Sequence, residues 1–208
     1  MAYRPTARTE ATRLAHRERL LDAARELLAE GGYAAASVSA LADRAGVATG
    51  SVYNHFSSKQ ELLAAVFRHV AGHELSAVRE AVGAATGAAE QLRALVEVFS
   101  RRALRTPRTA WALLAEPVDP LVEQERLAYR RDYHALAESV VAAAVASGEL
   151  PAQNARLSAA AVIGAVGEAL LGPLSPVGER TDPEPVVAGI TALCLRAVGA
   201  AAPRPCAR

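Results

Sequence analysis

Apolar residues recur at helical spacing in the first part of the chain. From about Thr12 to Gly31 they return three, four and seven residues apart, as on one face of a helix. These positions are Leu20, Leu21, Ala24, Leu27 and Leu28. Gly31 and Gly32 end the pattern as a left-handed helix cap would. The sequence has no alternation of period two and no Asn-Gly hairpin signal, so the pattern predicts an all-α protein.

Three more helix starts follow within the first eighty residues. Ser37 is placed to cap a short helix over residues 38–45, and Gly46 closes that helix. A second short helix is expected from Thr49 to His55. The segment Ser58-Lys-Gln-Glu61 has the form of a capping box, and apolar positions continue behind it into a long fourth helix. Two short helices joined by a glycine turn and packed across a longer first helix make a helix-turn-helix.

A second helical region follows a Gly/Ala-rich joint at residues 83–87. Two of its helices begin with Asp-Pro, where the aspartate caps the helix and the proline fits its first turn. The expected helices cover residues 92–104, a short segment from Pro107 through Trp111, Asp119 to about Ser147, residues 154–171, and a last helix from Asp182. The sequence therefore predicts a helix-turn-helix domain joined by the long fourth helix to a larger helical bundle.

Composition restricts the function less than the distribution of charge does. The net charge is only +1, but the first nineteen residues carry five arginines and two glutamates, a local balance of +3. Such a segment fits either a phosphate-binding arm or a solvated terminus. Cys194 and Cys206 give no disulfide framework and no zinc spacing. The start has no apolar signal core, and the apolar run 157–172 is too short to cross a bilayer, so we expect a soluble cytoplasmic protein without membrane contact.

The second short helix carries more polar side chains than a packed helix needs. Hydroxyl, amide and imidazole groups can meet base edges in the major groove, which is about 12 Å wide. Lys59, at the positive end of the fourth helix, and Ser37, at the start of the preceding helix, are suited to phosphate oxygens. The predicted DNA-contacting residues are Ser37, Thr49, Gly50, Ser51, Tyr53, Asn54, His55 and Lys59. The same geometry also occurs as plain packing, with Tyr53 half-buried and Lys59 an ordinary surface residue.

The order of these parts resembles the DNA-binding region of the TetR family of transcriptional regulators. The resemblance covers residues 17–67 and includes Gly-Gly-Tyr after the first helix, the small-Gly-Val turn, Gly-Ser-Val-Tyr-x-His-Phe, and Ser-Lys-x-Glu-Leu. It implies DNA contacts at the residues given above, with Asn54 added on its chemistry. Phe56 is the family's buried anchor. Many members have lysine where Thr49 stands, which weakens the case for that contact.

The resemblance also implies that the later helices bind a small molecule and dimerise. We divide the chain into a basic arm (1–16), the helix-turn-helix domain (17–62), a ligand-binding and dimerisation domain (63–201) and a tail (202–208). Aromatic residues are scarce here and suggest a pocket, although aromatic residues on helices are more often simple core. The candidate ligand residues are Phe99, Trp111, Leu114, Glu116, Tyr129, Tyr133 and His134. The expected effector is small and largely apolar or aromatic, and a member without an effector is the alternative.

Small residues on the apolar helix and the last helix suggest a dimer interface, because they let helices approach closely. The candidates are Ala160, Ala161, Gly164, Gly167, Leu171, Val187, Ile190 and Leu195. The competing interpretation is that these residues only fill the core of one chain. A homodimer fits the need for two recognition helices to reach half-sites about 34–36 Å apart.

The sequence thus predicts a homodimeric, ligand-responsive repressor of a palindromic DNA operator that is neither an enzyme nor dependent on a cofactor or metal. Two other classes remain open. A metal-dependent helical enzyme would use His69 and His73, which are four residues apart, with Glu74 beside them. A protein-interaction module would use the apolar last helices. Neither alternative explains the order of residues 44–62.

Overall fold

A computed structural model of the chain describes residues 7–178 and 182–200. In this part of the chain there are nine α-helices and no β-strand, which confirms the predicted all-α architecture. The helices are α1 (Ala7–Gly31), α2 (Val38–Ala45), α3 (Thr49–Val52), α4 (Lys59–Ala84), α5 (Ala88–Arg105), α6 (Pro107–Leu114), α7 (Pro120–Ser147), α8 (Ala155–Leu174) and α9 (Pro183–Ala197). A 3₁₀ turn at Gly32–Ala34 follows α1. The predicted tail and Cys206 lie outside the described residues.

Side-chain caps fix most of the helix starts. Ser37 Oγ accepts the Ala40 amide at 3.2 Å, and Ser58 Oγ accepts the Glu61 amide at 3.1 Å. Asp119 caps α7 through the Leu121 amide at 2.9 Å. The same role is taken by Asn154 in α8 and by Asp182 in α9. These interactions satisfy first-turn amides that have no partner inside the helix, and they confirm the starts expected from the sequence.

Three local details differ from the sequence-based expectation. The first helix begins at Ala7 rather than near residue 12, because neither proline nor glycine occurs between Ala7 and Gly31. Residues 7–16, assigned to an arm, are therefore helical. The α3 helix ends at Val52, since the next amides bond to carbonyls three residues back. Only one of the two hydrogen bonds of the capping box forms. The Glu61 amide donates to Ser58 Oγ, but the Glu61 carboxylate accepts from the amide and hydroxyl of Ser57 rather than from the amide of Ser58.

A continuous apolar core joins two parts of the molecule. We call residues 7–62 the head and residues 63–178 with 182–200 the body. The core of the head includes Leu28, Leu41 and Phe56, each at most 2% exposed. The long α4 helix leaves the head and packs in the body against α5 and α7. Burial of these side chains removes apolar area from water at about 25 cal/mol per Å², which drives the packing of both parts.

The end of α1 touches the body at a polar joint. Arg108 of α6 donates from Nη2 to the Gly31 carbonyl at 2.7 Å. The Tyr33 amide donates to Glu116 Oε1 at 3.2 Å, and Glu116 lies 3.6 Å from Arg108. Gly32 sits between them at φ +67°, and a Cβ there would lie 2.3 Å from Glu116 Oε2. Any residue other than glycine at position 32 would therefore require the Glu116 and Arg108 side chains to move.

Candidate nucleic-acid interface and internal cavity

The turn between α2 and α3 has the backbone that a helix-turn-helix requires. Gly46 is left-handed at φ +66°, and the Val47 amide donates to the Ala42 carbonyl at 3.0 Å. Val52 and Phe56 anchor α3 and the turn after it, with 1% and 2% of their surface exposed. Because these side chains are buried on one side, the rest of α3 faces outward.

Most of the predicted DNA-contacting side chains lie on this outward surface. Thr49, Gly50, Asn54 and Lys59 are exposed, and Tyr53 keeps 53% of its surface exposed. The exposure of Tyr53 argues against the half-buried role that plain packing would give it. The other predicted contacts, Ser37, Ser51 and His55, are only partly exposed.

His55 faces α1 rather than open surface. Its ring lies 6.4 Å from that of His16, and its Nδ1 atom is buried without a hydrogen-bond partner among the described residues. Burial lowers the pKa of the His55 imidazole, and the nearby positive charges of Arg13, His16 and Arg17 lower it further. The side chain therefore favours its neutral form and packs beneath the surface that Tyr53 and Asn54 present.

Two arginines of α1 extend this surface, and the sequence analysis did not include them among the contacts. Arg13 donates from Nη2 to the Asn54 carbonyl at 3.4 Å, while Arg17 lies over the Phe56 ring at 5.4 Å from its centroid. Helical periodicity carried back to Ala7 is the signal that would have placed them beside α3. Their charge makes the edge of the exposed surface basic.

A cavity of about 220 Å³ lies in the body between α5, α6, α7 and α8. Five of the seven predicted ligand residues line it, and their side chains come from three different helices. They are Phe99, Leu114, Tyr129, Tyr133 and His134. Further lining residues include Arg130 and Glu168 near its mouth and the apolar Leu95 and Ile163. The cavity is thus mainly aromatic and aliphatic, with a few polar groups, as ligand pockets usually are.

Trp111 and Glu116, the other two predicted ligand residues, do not line this cavity. Trp111 packs, partly buried, against the core. Glu116 lies beyond the end of α6, at the joint with Tyr33 and Arg108. Because α6 ends at Leu114, the chain turns away from the cavity before residue 116.

The predicted dimer residues divide into three groups. Val187, Ile190 and Leu195 are buried in their own chain at 0%, 6% and 8% exposure, as the competing interpretation of core packing expects. Gly164, Gly167 and Leu171 line the cavity. Ala161 is exposed and Ala160 partly so. The exposed residues of the last two helices include Leu157, Ala161, Gly164, Gly172, Ala188, Gly189 and Leu193, together with the charged Arg156, Glu168, Glu184 and Arg196.

One of these two helices, α8, is unusually apolar. Over the described residues, only α8 is long and apolar enough to cross a membrane, with a mean hydropathy of 1.7. A single helix of this kind is weak evidence for a membrane protein. Only 28% of its apolar window is buried inside the chain, so α8 has free apolar surface for a partner helix.

The pair His69 and His73 does not complete a metal site. Their rings meet edge to face at 4.7 Å, and His69 Nε2 lies 3.7 Å from Asp22 of α1. Within the described ranges no group of three or more His, Cys, Asp or Glu side chains could hold a metal ion.

An exposed polar α3 in a helix-turn-helix, joined to a helical body with an apolar cavity, defines a regulator of the helix-turn-helix class. Two family models match the chain: the bacterial regulatory proteins of the tetR family over residues 20–66, and the tetracyclin repressor-like C-terminal domain over residues 85–171. The chain belongs to the TetR family, whose members are transcriptional regulators and not enzymes.

Individual relatives agree with this assignment. The transcriptional repressor KstR2 of Rhodococcus jostii is 34% identical over 125 residues, which cover 60% of this chain and 61% of KstR2. The transcriptional activator FasR of Mycolicibacterium smegmatis is 45% identical over 83 residues, which cover 40% of this chain and 38% of FasR. The matched segments thus span less than two thirds of either relative.

Solved structures share the fold over most of the chain. FadR of Bacillus subtilis, in complex with stearoyl-CoA, superimposes with a TM-score of 0.74 at 22% identity, covering 89% of this chain and 99% of FadR. A TetR/AcrR-family regulator from Thermobifida fusca superimposes with a TM-score of 0.68 at 26% identity, covering 86% and 96%.

Proposed function

We propose that the chain is a homodimeric repressor that binds a palindromic DNA operator and is released by a small, largely apolar effector. The observation that carries the DNA-binding part is the outward surface of α3 and of the turn that follows it. Thr49, Tyr53 and Asn54 are exposed there although the core does not need them, and Lys59 and Arg13 flank them with positive charge. Polar groups on a short helix suit base edges, and the flanking cations suit phosphates.

A second copy of the chain is the proposed partner of the exposed α8–α9 face. Its exposed residues are mostly small or apolar, and Leu157 and Leu193 keep 68% and 47% of their surface exposed. Small residues allow two helices from each copy to pack closely around a twofold axis. Such a dimer presents two α3 helices, one for each half-site.

The cavity size indicates the scale of the effector. An apolar cavity of about 150 Å³ binds benzene, so 220 Å³ suits a compact molecule of roughly nine non-hydrogen atoms. A ligand as large as the stearoyl-CoA of FadR exceeds this volume. The proposed effector is therefore smaller, and its apolar body packs against Leu95, Phe99 and Ile163.

The end of α6 offers a route from the cavity to the head. Leu114, its last residue, lines the cavity, and Arg126 holds the carbonyls of Leu113 and Glu116 at 2.9 and 2.7 Å. Two residues further on, Glu116 accepts the Tyr33 amide. We propose that an effector displacing Leu114 shifts Glu116 and hence the head, which changes the separation of the two α3 helices. DNA affinity falls to the extent that the effector prefers the shifted state.

Selection of bound DNA from a random pool tests the proposal, followed by affinity measurements at several salt concentrations. Lys59→Ala is expected to weaken binding to all sequences alike and to reduce the slope of log affinity against log salt by about one. Gln60→Ala, an exposed neutral neighbour, is the control and keeps the slope. Asn54→Ala is expected to change the selected sequence, at about 1–3 kcal/mol for a lost base contact.

Two outcomes would contradict this proposal. Failure to bind any duplex at low salt would refute DNA binding, and an unchanged salt slope for Lys59→Ala would refute its phosphate contact. Sedimentation separates the dimer from a monomeric interaction module. Since the relatives include a repressor and an activator, reporter expression with the selected operator decides the sign of regulation.

A further inference from the structure

Four side chains form a wall between the 220 Å³ cavity and a second, smaller one of about 30 Å³. Both cavities are lined by Phe99, Leu114, Tyr129 and Tyr133. The rings of Phe99 and Tyr133 meet edge to face at 5.1 Å, and those of Tyr129 and Tyr133 at 4.8 Å. The wall between the two cavities therefore includes two neighbouring tyrosines, and each of them carries a hydroxyl group.

The two hydroxyl groups together have two protons, and only one of these protons is donated in a hydrogen bond between them. The Tyr129 hydroxyl donates to the Tyr133 hydroxyl at 3.2 Å, and in the described part of the chain no other acceptor bonds to either group. Whichever hydroxyl donates, one proton remains without an acceptor. Burial raises the pKa of Tyr129 and Tyr133 well above the usual value, so both stay protonated and one is free to donate.

The smaller cavity behind the wall is mainly apolar, and the two charged side chains that line it form an ion pair. Arg102 donates to Glu74 from two nitrogens, Nε and Nη2, with the second contact at 3.0 Å. Both side chains line the smaller cavity, so the charge of the guanidinium is matched by the carboxylate beside it. A carboxylate placed at the tyrosines would find the Arg102 guanidinium already paired with Glu74 and would lose its water, which is unfavourable in an apolar site.

We propose that the two tyrosines recognise a neutral hydrogen-bond acceptor, a ketone, aldehyde or ester oxygen, at the inner end of a compact apolar effector. The proposal rests on the ligand-binding part of the proposed function. The free hydroxyl proton donates to this oxygen, and the ring system or short chain of the ligand fills the apolar part of the cavity. Among molecules of similar size, a ketone binds better than the hydrocarbon, and the hydrocarbon better than the carboxylate.

Calorimetric titration of the full chain with three bicyclic probes tests this order: indane, its ketone indanone, and indane carboxylate. The wild-type chain is expected to bind indanone roughly tenfold more tightly than indane, which corresponds to one hydrogen bond in a buried site. The carboxylate is expected to bind most weakly. The double variant Tyr129→Phe/Tyr133→Phe, which removes both hydroxyl groups, is expected to bring indanone to the affinity of indane while leaving indane unchanged.

Tyr33→Phe is a matched control, because Tyr33 also has a buried hydroxyl without a partner but lies at the joint with the head. It is expected to keep the preference for the ketone. If the double variant fails to fold, the wild-type order of the three probes still decides. Equal affinity for indanone and indane, tightest binding of the carboxylate, or no binding of any probe would each overturn the proposal. DNA binding is measured in a separate experiment. A failure of the probe titrations therefore leaves the DNA-binding result interpretable, and a failure to bind DNA leaves the titrations interpretable.

Discussion

The head and the body carry their functional groups in opposite ways. In the head, Thr49, Tyr53 and Asn54 are exposed within six residues of one another, and local turns and caps fix their positions. In the body, the cavity is assembled from four helices between residues 95 and 171, and its two tyrosines are buried. The head therefore depends on short-range interactions, and the body on contacts between distant segments.

The joint between the two parts combines both features. Arg108 and Glu116 of the body contact the backbone of Gly31 and Tyr33, and α4 runs through from one part to the other. Three sets of substitutions therefore measure separate contributions to stability. They are made in the body, at the joint, and at two titrating histidines.

The largest expected effect is in the body, at Arg126. This side chain is 7% exposed and donates to the carbonyls of Ala112, Leu113 and Glu116 at the end of α6. Arg126→Met leaves these carbonyls without that partner, and we expect the free energy of unfolding to fall by about 3 kcal/mol. Denaturant unfolding followed by circular dichroism measures the loss. Arg130→Met, one turn later and exposed, is the control and should stay within about 0.5 kcal/mol of wild type.

A second prediction compares a glycine at the joint with one inside the head. Gly32 and Gly46 have almost the same backbone, at φ +67° and +66°, but a Cβ meets Glu116 and Arg108 only at Gly32. Gly46→Ala should cost about 1–2 kcal/mol from the left-handed conformation alone. Gly32→Ala should cost roughly 1 kcal/mol more, because the two side chains must leave their hydrogen bonds. Equal losses in parallel denaturant titrations would show that the joint adds no stability.

The smallest expected effect is a dependence of stability on pH. Burial lowers the pKa of His69, as does His73, while Glu18 and Asp22 oppose the shift. His55 is also lowered.

A histidine whose pKa is lower in the folded chain binds fewer protons there than in the unfolded chain, so stability falls as the pH drops through about 6.5. The melting temperature should therefore decrease between roughly pH 7 and 5.5. The double variant His55→Gln/His69→Gln should show a smaller decrease, and a decrease as steep as wild type would contradict this origin.

The sequence was most informative where structure depends on neighbours along the chain. The caps at Ser37, Ser58 and Asp119 were predictable because each needs only a side chain two or three residues before the amide that it accepts. The early start of α1 was missed because a prediction based on apolar positions does not detect a polar extension of a helix. The two arginines near α3, Arg13 and Arg17, were missed for the same reason.

The body was predictable in content but not in arrangement. Aromatic residues on α5 and α7 do meet at the cavity, yet periodicity gives no direction for Glu116, which follows the end of its helix. Val187 and Ile190 satisfy the pattern of a dimer seam, but the same pattern serves the core of one chain, and there they are buried. Which apolar face is covered depends on how α8 and α9 pack against α5, and that contact is not encoded at any fixed spacing.

Arg44 pairs with Glu30 at 2.9 Å and with Glu26 at 3.2 Å, which fastens α2 to α1. If α4 tilts, the head would therefore move as one unit at its tip, and the 26 residues of α4 span about 39 Å. A tilt of about 5° at the far end of such a lever displaces its tip by about 3 Å, close to the 3.4 Å rise of one base pair. A rotation too small to disturb the core is thus large enough to put two bound heads out of register on the duplex.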